Sequence, residues 1–307
     1  MNKIKFLLIV CAGLITAGLQ AQARYFDERY IYTQANINPQ LINPAAFGSK
    51  MKHNVLLNYR RKWAGINDSP TTATIAYDGP MIDRLGFGAM VLRDNFGLLE
   101  TTKAMAGASY MIKSETNQIS FGLSGEYIKH GLSSVTDAGT ISDPRFLQGL
   151  AGTEYFDVTV GVYGLYKNKL SYGLVLPSLV SSRVNGEPSP ASEDRNVGFI
   201  FHVGYDIKAK DADVVFKPSV FVKNLANVPT HLDINLNVSF LDEKITGGVS
   251  YTVGADNRLG FLVGTTIDKF SLFYSYNTSS NPLQDYNSGS HELTLGLSFG
   301  GGKKDKM

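Results

Sequence analysis

The stretch at residues 231–241 constrains the fold most, because from Leu232 to Phe240 its side chains alternate between apolar and polar. Successive side chains of a β-strand point to opposite faces, so the stretch predicts a strand with one apolar and one polar face. The same alternation returns at residues 292–299. An amphipathic helix would need apolar spacings that combine three and four residues, and neither stretch has them. Strands of this kind occur in soluble sandwiches and in membrane barrels.

Strand signals recur along the whole chain and predict about fourteen strands. They lie at residues 53–63, 71–78, 84–92, 101–112, 118–129, 155–166, 169–176, 196–207, 214–223, 231–241, 244–253, 258–267, 270–276 and 290–299.

The lengths of the connections favour the barrel over the sandwich. Connections after even-numbered strands are short, such as Gly79-Pro80, whereas those at 131–154, 177–195 and 277–289 are long. An even number of strands with short turns at one end and long loops at the other is typical of outer-membrane barrels. Closure also removes sheet edges, whose backbone groups could not be satisfied in lipid. We therefore predict an all-β protein, a transmembrane antiparallel up-and-down β-barrel over residues 53–299, with a polar tail at 300–307.

Composition excludes two other classes. A formal net charge of +2 offers no electrostatic case for nucleic acid. A mean hydropathy of -0.07 excludes a bundle of membrane helices, but it is compatible with a barrel whose lumen-facing residues are polar.

The first 23 residues have the features of a secretory signal peptide. Lys3 and Lys5 precede an apolar core at residues 6–19, and the small residues Ala21 and Ala23 follow. This order predicts cleavage and export, with the outer membrane as the final location. The single cysteine, Cys11, lies within the signal, so the mature chain is expected to have no disulfide and no thiolate site.

Residues 24–52 show no regular period and are predicted to form an arm or plug ahead of the first strand. The segment begins with aromatic and polar residues, and Pro39 and Pro44 follow, which argue against regular structure.

Alternation predicts which side chains face the lumen. Ser120, Ser124 and Glu126 oppose apolar neighbours, and His202 and Asp206 do the same on a later strand. Tyrosines recur near strand ends, as expected of interfacial girdles. Further charged residues are expected to point inward, where they either line an aqueous pore or pair and block it. These are Asp157, Lys217, Lys223 and Asp233.

No motif indicates catalysis, a cofactor or a metal. The five histidines are scattered and have no metal-ligand spacing. No phosphate-binding glycine loop is present. The chain is therefore expected to be non-enzymatic.

A succession of short motifs near the N-terminus is more specific. Residues 42–48 read Ile-Asn-Pro-Ala-Ala-Phe-Gly and residues 59–65 read Tyr-Arg-Arg-Lys-Trp-Ala-Gly. Asp-Ser-Pro-Thr-Thr at 68–72 and Gly-Phe-Gly at 86–88 follow. This succession resembles the PorP/SprF family of outer-membrane proteins of Bacteroidota. Over residues 36–94 the match is close, except that Arg61 and Lys62 stand where neutral residues are common in the family.

The resemblance implies participation in type IX secretion. Its expected partners are outer-membrane lipid and either secretion components or the C-terminal domain of a secreted adhesin. Eight residues are candidates for partner docking or for a plug, and Trp63 would anchor the arm by stacking at the barrel rim. They are Asn43, Pro44, Ala45, Gly48, Arg60, Trp63, Gly65 and Pro70. The alternative function is a porin-like or hydrophobic-solute channel.

Overall fold

A computed structural model describes residues 30–132, 152–184, 198–210, 212–225, 229–254, 257–280 and 282–300. The predicted signal peptide, the first six residues of the arm, most of the loops at 131–154 and 177–195, and the tail after Gly300 lie outside these residues.

The described chain consists mainly of antiparallel strands. In order they are β1 His53–Arg61, β2 Thr71–Ile82, β3 Leu85–Phe96, β4 Leu99–Lys113, β5 Asn117–Leu132, β6 Thr153–Tyr166, β7 Leu170–Arg183, β8 Phe199–Tyr205, β9 Ile207–Lys208, β10 Val214–Asn224, β11 His231–Phe240, β12 Ile245–Val253, β13 Arg258–Ile267, β14 Phe270–Ser279 and β15 Ser290–Phe299. Short 3-10 helices lie at Thr33–Asn36, Pro39–Leu41, Pro44–Ala46 and Pro282–Tyr286.

These strands close into a single barrel. Each strand pairs with its neighbour in sequence, and β1 pairs with β15 from His53 opposite Phe299 to Arg61 opposite His291. The segments β8 and β9 both pair with β10 and are separated only by Asp206, so they form one barrel strand. The result is a closed fourteen-stranded antiparallel barrel, which confirms the predicted fold class and strand number.

Some predicted connections are wrong because strand pairing continues through them. Gly79-Pro80 lies inside β2, where Pro80 pairs with Gly86 beside a register shift, a position that tolerates a missing N–H donor. Residues 177–183, predicted to be loop, extend β7 along β6 past another register shift. In both cases a proline marks an irregularity within the strand and not its end.

The two faces of the barrel have the predicted character. On β5, Phe121 is 50% and Leu123 is 56% exposed on the outside, whereas Ser120 and Ser124 are buried on the inside. Glu126, Asp157 and Lys223 are also buried inside. Among the described residues, none of the helices is long and apolar enough to cross a bilayer.

The two ends of the barrel differ in their connections. Short turns such as 83–84 and 268–269 lie at one end, here called the lower end, together with the start of β1 and the end of β15. The longer connections lie at the other, upper end. By the usual layout of such barrels the lower end faces the periplasm and the upper end faces the cell surface. The arm therefore joins the barrel from the periplasmic side.

Candidate functional site

The described part of the arm lies inside the barrel. Of residues 30–49, all are buried except Thr33, Asn36 and Ile37, which are partly buried. None of these twenty residues is charged. The segment is folded into three short 3-10 helices, two of which begin with a proline that fixes the backbone at the first turn. A neutral, compact segment therefore occupies the lumen.

The lower part of the arm, residues 43–48, is held by a hydrogen bond within the arm and by hydrogen bonds to the wall. The Asn43 side chain accepts a hydrogen bond from the Ala45 amide at 2.9 Å and donates one to the Val162 carbonyl at 3.0 Å. Gly48 adopts a positive φ of 66° and its amide donates to Asp78 Oδ2 at 2.9 Å. These contacts satisfy the backbone where the arm turns toward β1, and we call this region the lower seat.

Three glycines of the wall lie directly against the lower seat. A Cβ atom added to Gly161 would lie 2.1 Å from Asn43 Oδ1, and one added to Gly122 would lie 2.2 Å from the Ala45 nitrogen. A Cβ on Gly86 would lie 2.1 Å from the Phe47 carbonyl oxygen. Real Cβ atoms do not approach other atoms so closely, so only glycine permits the arm to pack at these three positions.

The upper part of the described arm, residues 30–34, is held mainly by polar groups, and we call this region the upper seat. The Tyr30 hydroxyl lies 3.3 Å from both carboxylate oxygens of Glu126 and 3.1 Å from Thr159 Oγ1. The Tyr30 ring lies 4.8 Å from Lys103 Nζ, a cation–π distance. These wall residues are in the upper halves of β4 and β5 and near the middle of β6, so the arm rises through the lumen from the lower end.

Three further arm residues bind the wall in the upper seat. The Tyr32 hydroxyl lies 3.0 Å from Thr74 Oγ1, and burial raises the pKa of Tyr32 to about 12. The Thr33 amide donates to Glu292 Oε2 at 2.9 Å, and the Gln34 side-chain amide donates to Ser275 Oγ at 3.0 Å. Each of these bonds joins residues far apart in sequence, so the closed wall determines where the upper seat lies.

Two pairs of oppositely charged residues lie within the wall of the lumen. Lys103 Nζ lies 2.8 Å from Glu126 Oε2, with both side chains 1% exposed. Lys223 Nζ lies 2.8 Å from Asp233 Oδ2. Of the two alternatives for the inward charges, the structure supports pairing at these positions. The neutral arm therefore adds no charge to a wall in which the charges of these two pairs balance each other.

Apolar contacts complete the packing inside the barrel. Leu41, Ile42 and Phe47 of the arm belong to one buried cluster with wall residues from several strands. The wall members are Leu56, Ala76, Met90, Leu92, Met105, Val175, Ile200, Phe221 and the neighbouring Leu225. This lumen resembles the core of a soluble domain more than the hydrated interior of a porin.

The candidate residues are divided between the two ends of the barrel. Asn43, Pro44, Ala45 and Gly48 meet in the lower seat. Arg60 is buried in the upper half, where its guanidinium lies 5.6 Å from the Tyr32 ring centroid and donates to Thr72 Oγ1.

The expectation that Trp63 anchors the arm is wrong for residues 43–48, because Trp63 follows the upper end of β1 and those residues lie at the lower end. The Trp63 ring instead packs edge-on against Phe96, with centroids 5.9 Å apart. Trp63 has a positive φ of 49°, a conformation that costs a bulky residue backbone strain. Gly65 is exposed and Pro70 is buried in the same connection.

Three upper connections are joined by backbone hydrogen bonds. The Ala64 amide donates to the Gly289 carbonyl at 2.8 Å, and the Ser288 amide donates back to the Ala64 carbonyl at 2.6 Å. The Gly97 amide donates to the Asp68 carbonyl at 3.1 Å. Residues 62–70, 97–98 and 287–290 thus form one connected rim, which presents Trp63 and Phe96 at the surface end.

Sequence reasoning missed several residues that hold the arm. Lys103 and Glu292 were not singled out, although each is a lone charge on the face that alternation assigns to the lumen. Gln34 carried no signal, because its partners lie about 240 positions away and become neighbours only through barrel closure. Gly122 and Gly161 looked like ordinary small strand residues, and Gly86 was noted only as part of the Gly-Phe-Gly motif.

Comparison with solved structures finds outer-membrane barrels of low sequence identity. Omp33 of Acinetobacter baumannii is 6% identical with a TM-score of 0.48, covering 81% of this chain and 98% of that one. A TodX deletion mutant, a monoaromatic hydrocarbon channel, is 10% identical with a TM-score of 0.48, covering 88% and 94%. Outer membrane phospholipase A from Escherichia coli is 8% identical with a TM-score of 0.38, covering 84% and 98%. No curated protein sequence matches the chain.

Comparison with protein families is decisive. Residues 26–297, which include the arm and nearly the whole barrel, match the type IX secretion system membrane protein PorP/SprF. The chain therefore belongs to the PorP/SprF family, and it is an outer-membrane β-barrel of the type IX secretion system.

Proposed function

We propose that this barrel is a non-enzymatic partner that helps to export, or holds at the cell surface, a large secreted protein such as a gliding adhesin. The observation that carries the proposal is the occupied lumen. Residues 30–49 are packed from the upper half of the barrel to its lower end, in contact with an apolar cluster and a paired polar wall. A solute channel needs a continuous hydrated path, and this packing argues against one.

The rim at the upper end is the surface that we assign to the client. Trp63 is held on Phe96 by a ring contact, and backbone hydrogen bonds connect the surrounding loops. A rigid rim presents an aromatic side chain at low entropic cost, which is typical of the residues that dominate protein interfaces. Family membership supports the secretion-system setting of this proposal.

Conductance separates the proposal from the alternative, a porin-like or hydrophobic-solute channel. The full chain is inserted into planar bilayers beside a variant that lacks residues 30–49 and whose folding is checked by heat-modifiable migration. We expect the full chain to be silent and the deletion variant to conduct, because only the variant has an open lumen. A steady, ion-selective current from the full chain would favour the transport function.

Surface display tests the partner role directly. Trp63→Ala should leave the amount of barrel in the outer membrane unchanged and reduce whole-cell labelling of the client. Trp63→Phe is the matched control, because it retains an aromatic ring against Phe96. If the Trp63→Ala strain shows the same client labelling as the wild type, the rim is not the surface that binds the client.

A further inference from the structure

A small polar cleft lies in the upper half of the lumen, between the beginning of the described arm and the wall formed by β10 to β14. One side is formed by Ile31, Tyr32 and Thr33 of the arm. The wall contributes two cations, one carboxylate and several hydroxyl and amide groups. These wall residues are Lys223, Asp233, Asn235, Ser250, Thr252, Arg258 and Asn277. The cleft has a volume of about 20 Å³, so it admits only the tip of a small polar group.

Arg258 is the unusual member of this cleft. It is the first residue of β13 and shares its face with the buried Gly260, so its side chain belongs to the lumen and not to the lipid-facing side. Its Nε atom is buried and has no hydrogen-bond partner within the described residues. A guanidinium has five N–H donors, and an uncompensated one below the surface is costly. The cleft therefore contains one guanidinium N–H that lacks an acceptor among the described residues.

The other charges of the cleft are already matched. Lys223 Nζ lies 2.8 Å from Asp233 Oδ2, and Thr252 donates to Asp233 Oδ1 at 2.8 Å. Both carboxylate oxygens of Asp233 thus have partners, and the ammonium of Lys223 has its counter-ion. The charge of Arg258 remains as an excess of one positive charge among the side chains that line the cleft. An anionic group entering the cleft would balance it.

The chemistry of the lining selects the kind of anion. A guanidinium binds a carboxylate through two parallel hydrogen bonds, and the Ser250 hydroxyl is a further donor in the same lining. The small volume admits the end of a side chain or of a peptide but no larger body. Lys223 and Arg258 lie where β10 and β13 meet the upper connections, so the cleft is in the part of the lumen nearest the surface end.

We propose that the Arg258 cleft is a carboxylate-binding site that receives an acidic segment of the exported partner. The inference rests on the proposed function for the identity of the partner, but the carboxylate chemistry rests on the cleft alone. Because the site faces the lumen, its ligand is a peptide carboxylate and not a lipid headgroup.

Binding of a labelled peptide tests the chemistry. The probe is a fluorescein-labelled Gly-Ser-Asp-Glu-Asp peptide, and its neutral counterpart is Gly-Ser-Asn-Gln-Asn, both measured by anisotropy with the detergent-solubilised full chain. We expect the acidic peptide to bind about tenfold more tightly, as a charge-assisted bidentate pair allows. Arg258→Gln should abolish this preference, whereas Arg93→Gln should retain it, because Arg93 is exposed and paired with Glu100.

Equal binding of the two peptides by the wild-type chain, or an unchanged preference in Arg258→Gln, would overturn the inference. An unchanged urea midpoint confirms that Arg258→Gln is folded, and Arg258→Lys should restore part of the preference because it retains the charge. Co-purification of the native client separates the two proposals. If the client is recovered equally with the wild type and with Arg258→Gln, the partner role of the cleft fails and the proposed function stands. If the client is not recovered with the wild type, the proposed function fails even when the peptide preference holds.

Discussion

The two seats of the arm are built by opposite means. In the lower seat the wall has glycines at 86, 122 and 161, where the arm backbone or, at Gly161, the Asn43 side chain approaches closely. In the upper seat the wall provides large polar side chains, and hydroxyl and amide groups of the arm bind them. The lower seat depends on shape, and the upper seat depends on hydrogen bonds.

This difference indicates which substitutions the barrel can tolerate. A clash with backbone atoms in the lower seat cannot be relieved by rotating a side chain, because the arm is surrounded by wall on several sides. A lost hydroxyl in the upper seat removes one bond among several. The charged pairs lie within the wall itself, so their loss should affect the barrel whether or not the arm is in place.

The largest effect is expected for Glu126→Gln, which removes the carboxylate beside buried Lys103. Breaking one partner of a buried ion pair costs about 3–5 kcal/mol. The measurement is the urea midpoint of the barrel in lipid vesicles, followed by fluorescence of Trp63, the only tryptophan. Glu100→Gln is the control, since its pair with Arg93 is exposed and contributes about 0–1 kcal/mol. Equal shifts for the two variants would contradict a wall that balances its own buried charge.

The next effect is expected for Gly122→Val in the lower seat. The added side chain would meet the Ala45 backbone, and overpacking of this kind costs about 1–3 kcal/mol. Gly247→Val is a matched control, because a Cβ at Gly247 meets nothing within 4 Å. Protease sensitivity of the arm, together with the urea midpoint, checks both variants. A Gly122→Val barrel with a protected arm would show that the lower seat is looser than its geometry indicates.

A smaller effect is expected for Asn43→Ala. The substitution removes the bond to the Ala45 amide and the bond to the Val162 carbonyl. Loss of an N-cap asparagine costs about 0.5–2 kcal/mol. Asn67→Ala in the exposed upper connection controls for the change of residue type. Hydrogen exchange at residues 43–48 should rise in Asn43→Ala and remain unchanged in the control, and protection equal to that of the wild type would refute the role of this side chain.

The smallest effect at neutral pH is expected for Tyr32→Phe, which loses one hydroxyl contact with Thr74, about 0.5–1.5 kcal/mol. The two chains should differ more in alkali. Tyr32 has a pKa of about 12 in the folded barrel, above its ordinary value of 10.0, so the unfolded chain loses the proton first. The stability of the wild type should therefore fall as pH rises from 10 to 12. The stability of Tyr32→Phe should fall less, because the two chains share all their other tyrosines. Parallel pH profiles would show that Tyr32 is not buried in the folded barrel.

The path of the arm is the part of the site that sequence reasoning recovered least. The sequence assigned the motif at residues 42–48 to docking or to a plug. It also suggested that Trp63 contacts the arm, but in the structure the Trp63 ring packs against Phe96. The error has a simple cause. Trp63 is only fifteen residues from Gly48 in the sequence, but β1 lies between them and carries the chain from the lower end of the barrel to the upper end.

The sequence by itself determined the number of strands and which of their faces meets lipid, but it ended β2 and β7 too early. That information is local, because alternation along a strand such as β11 depends only on neighbouring residues and on the period of the backbone. The tertiary structure alone decided where the arm lies and what it touches. Tyr30 meets Glu126 and Gln34 meets Ser275 only because closure brings β5 and β14 around the same lumen. The pairing order of the closed barrel, and not any local pattern, places the wall residues that hold the arm.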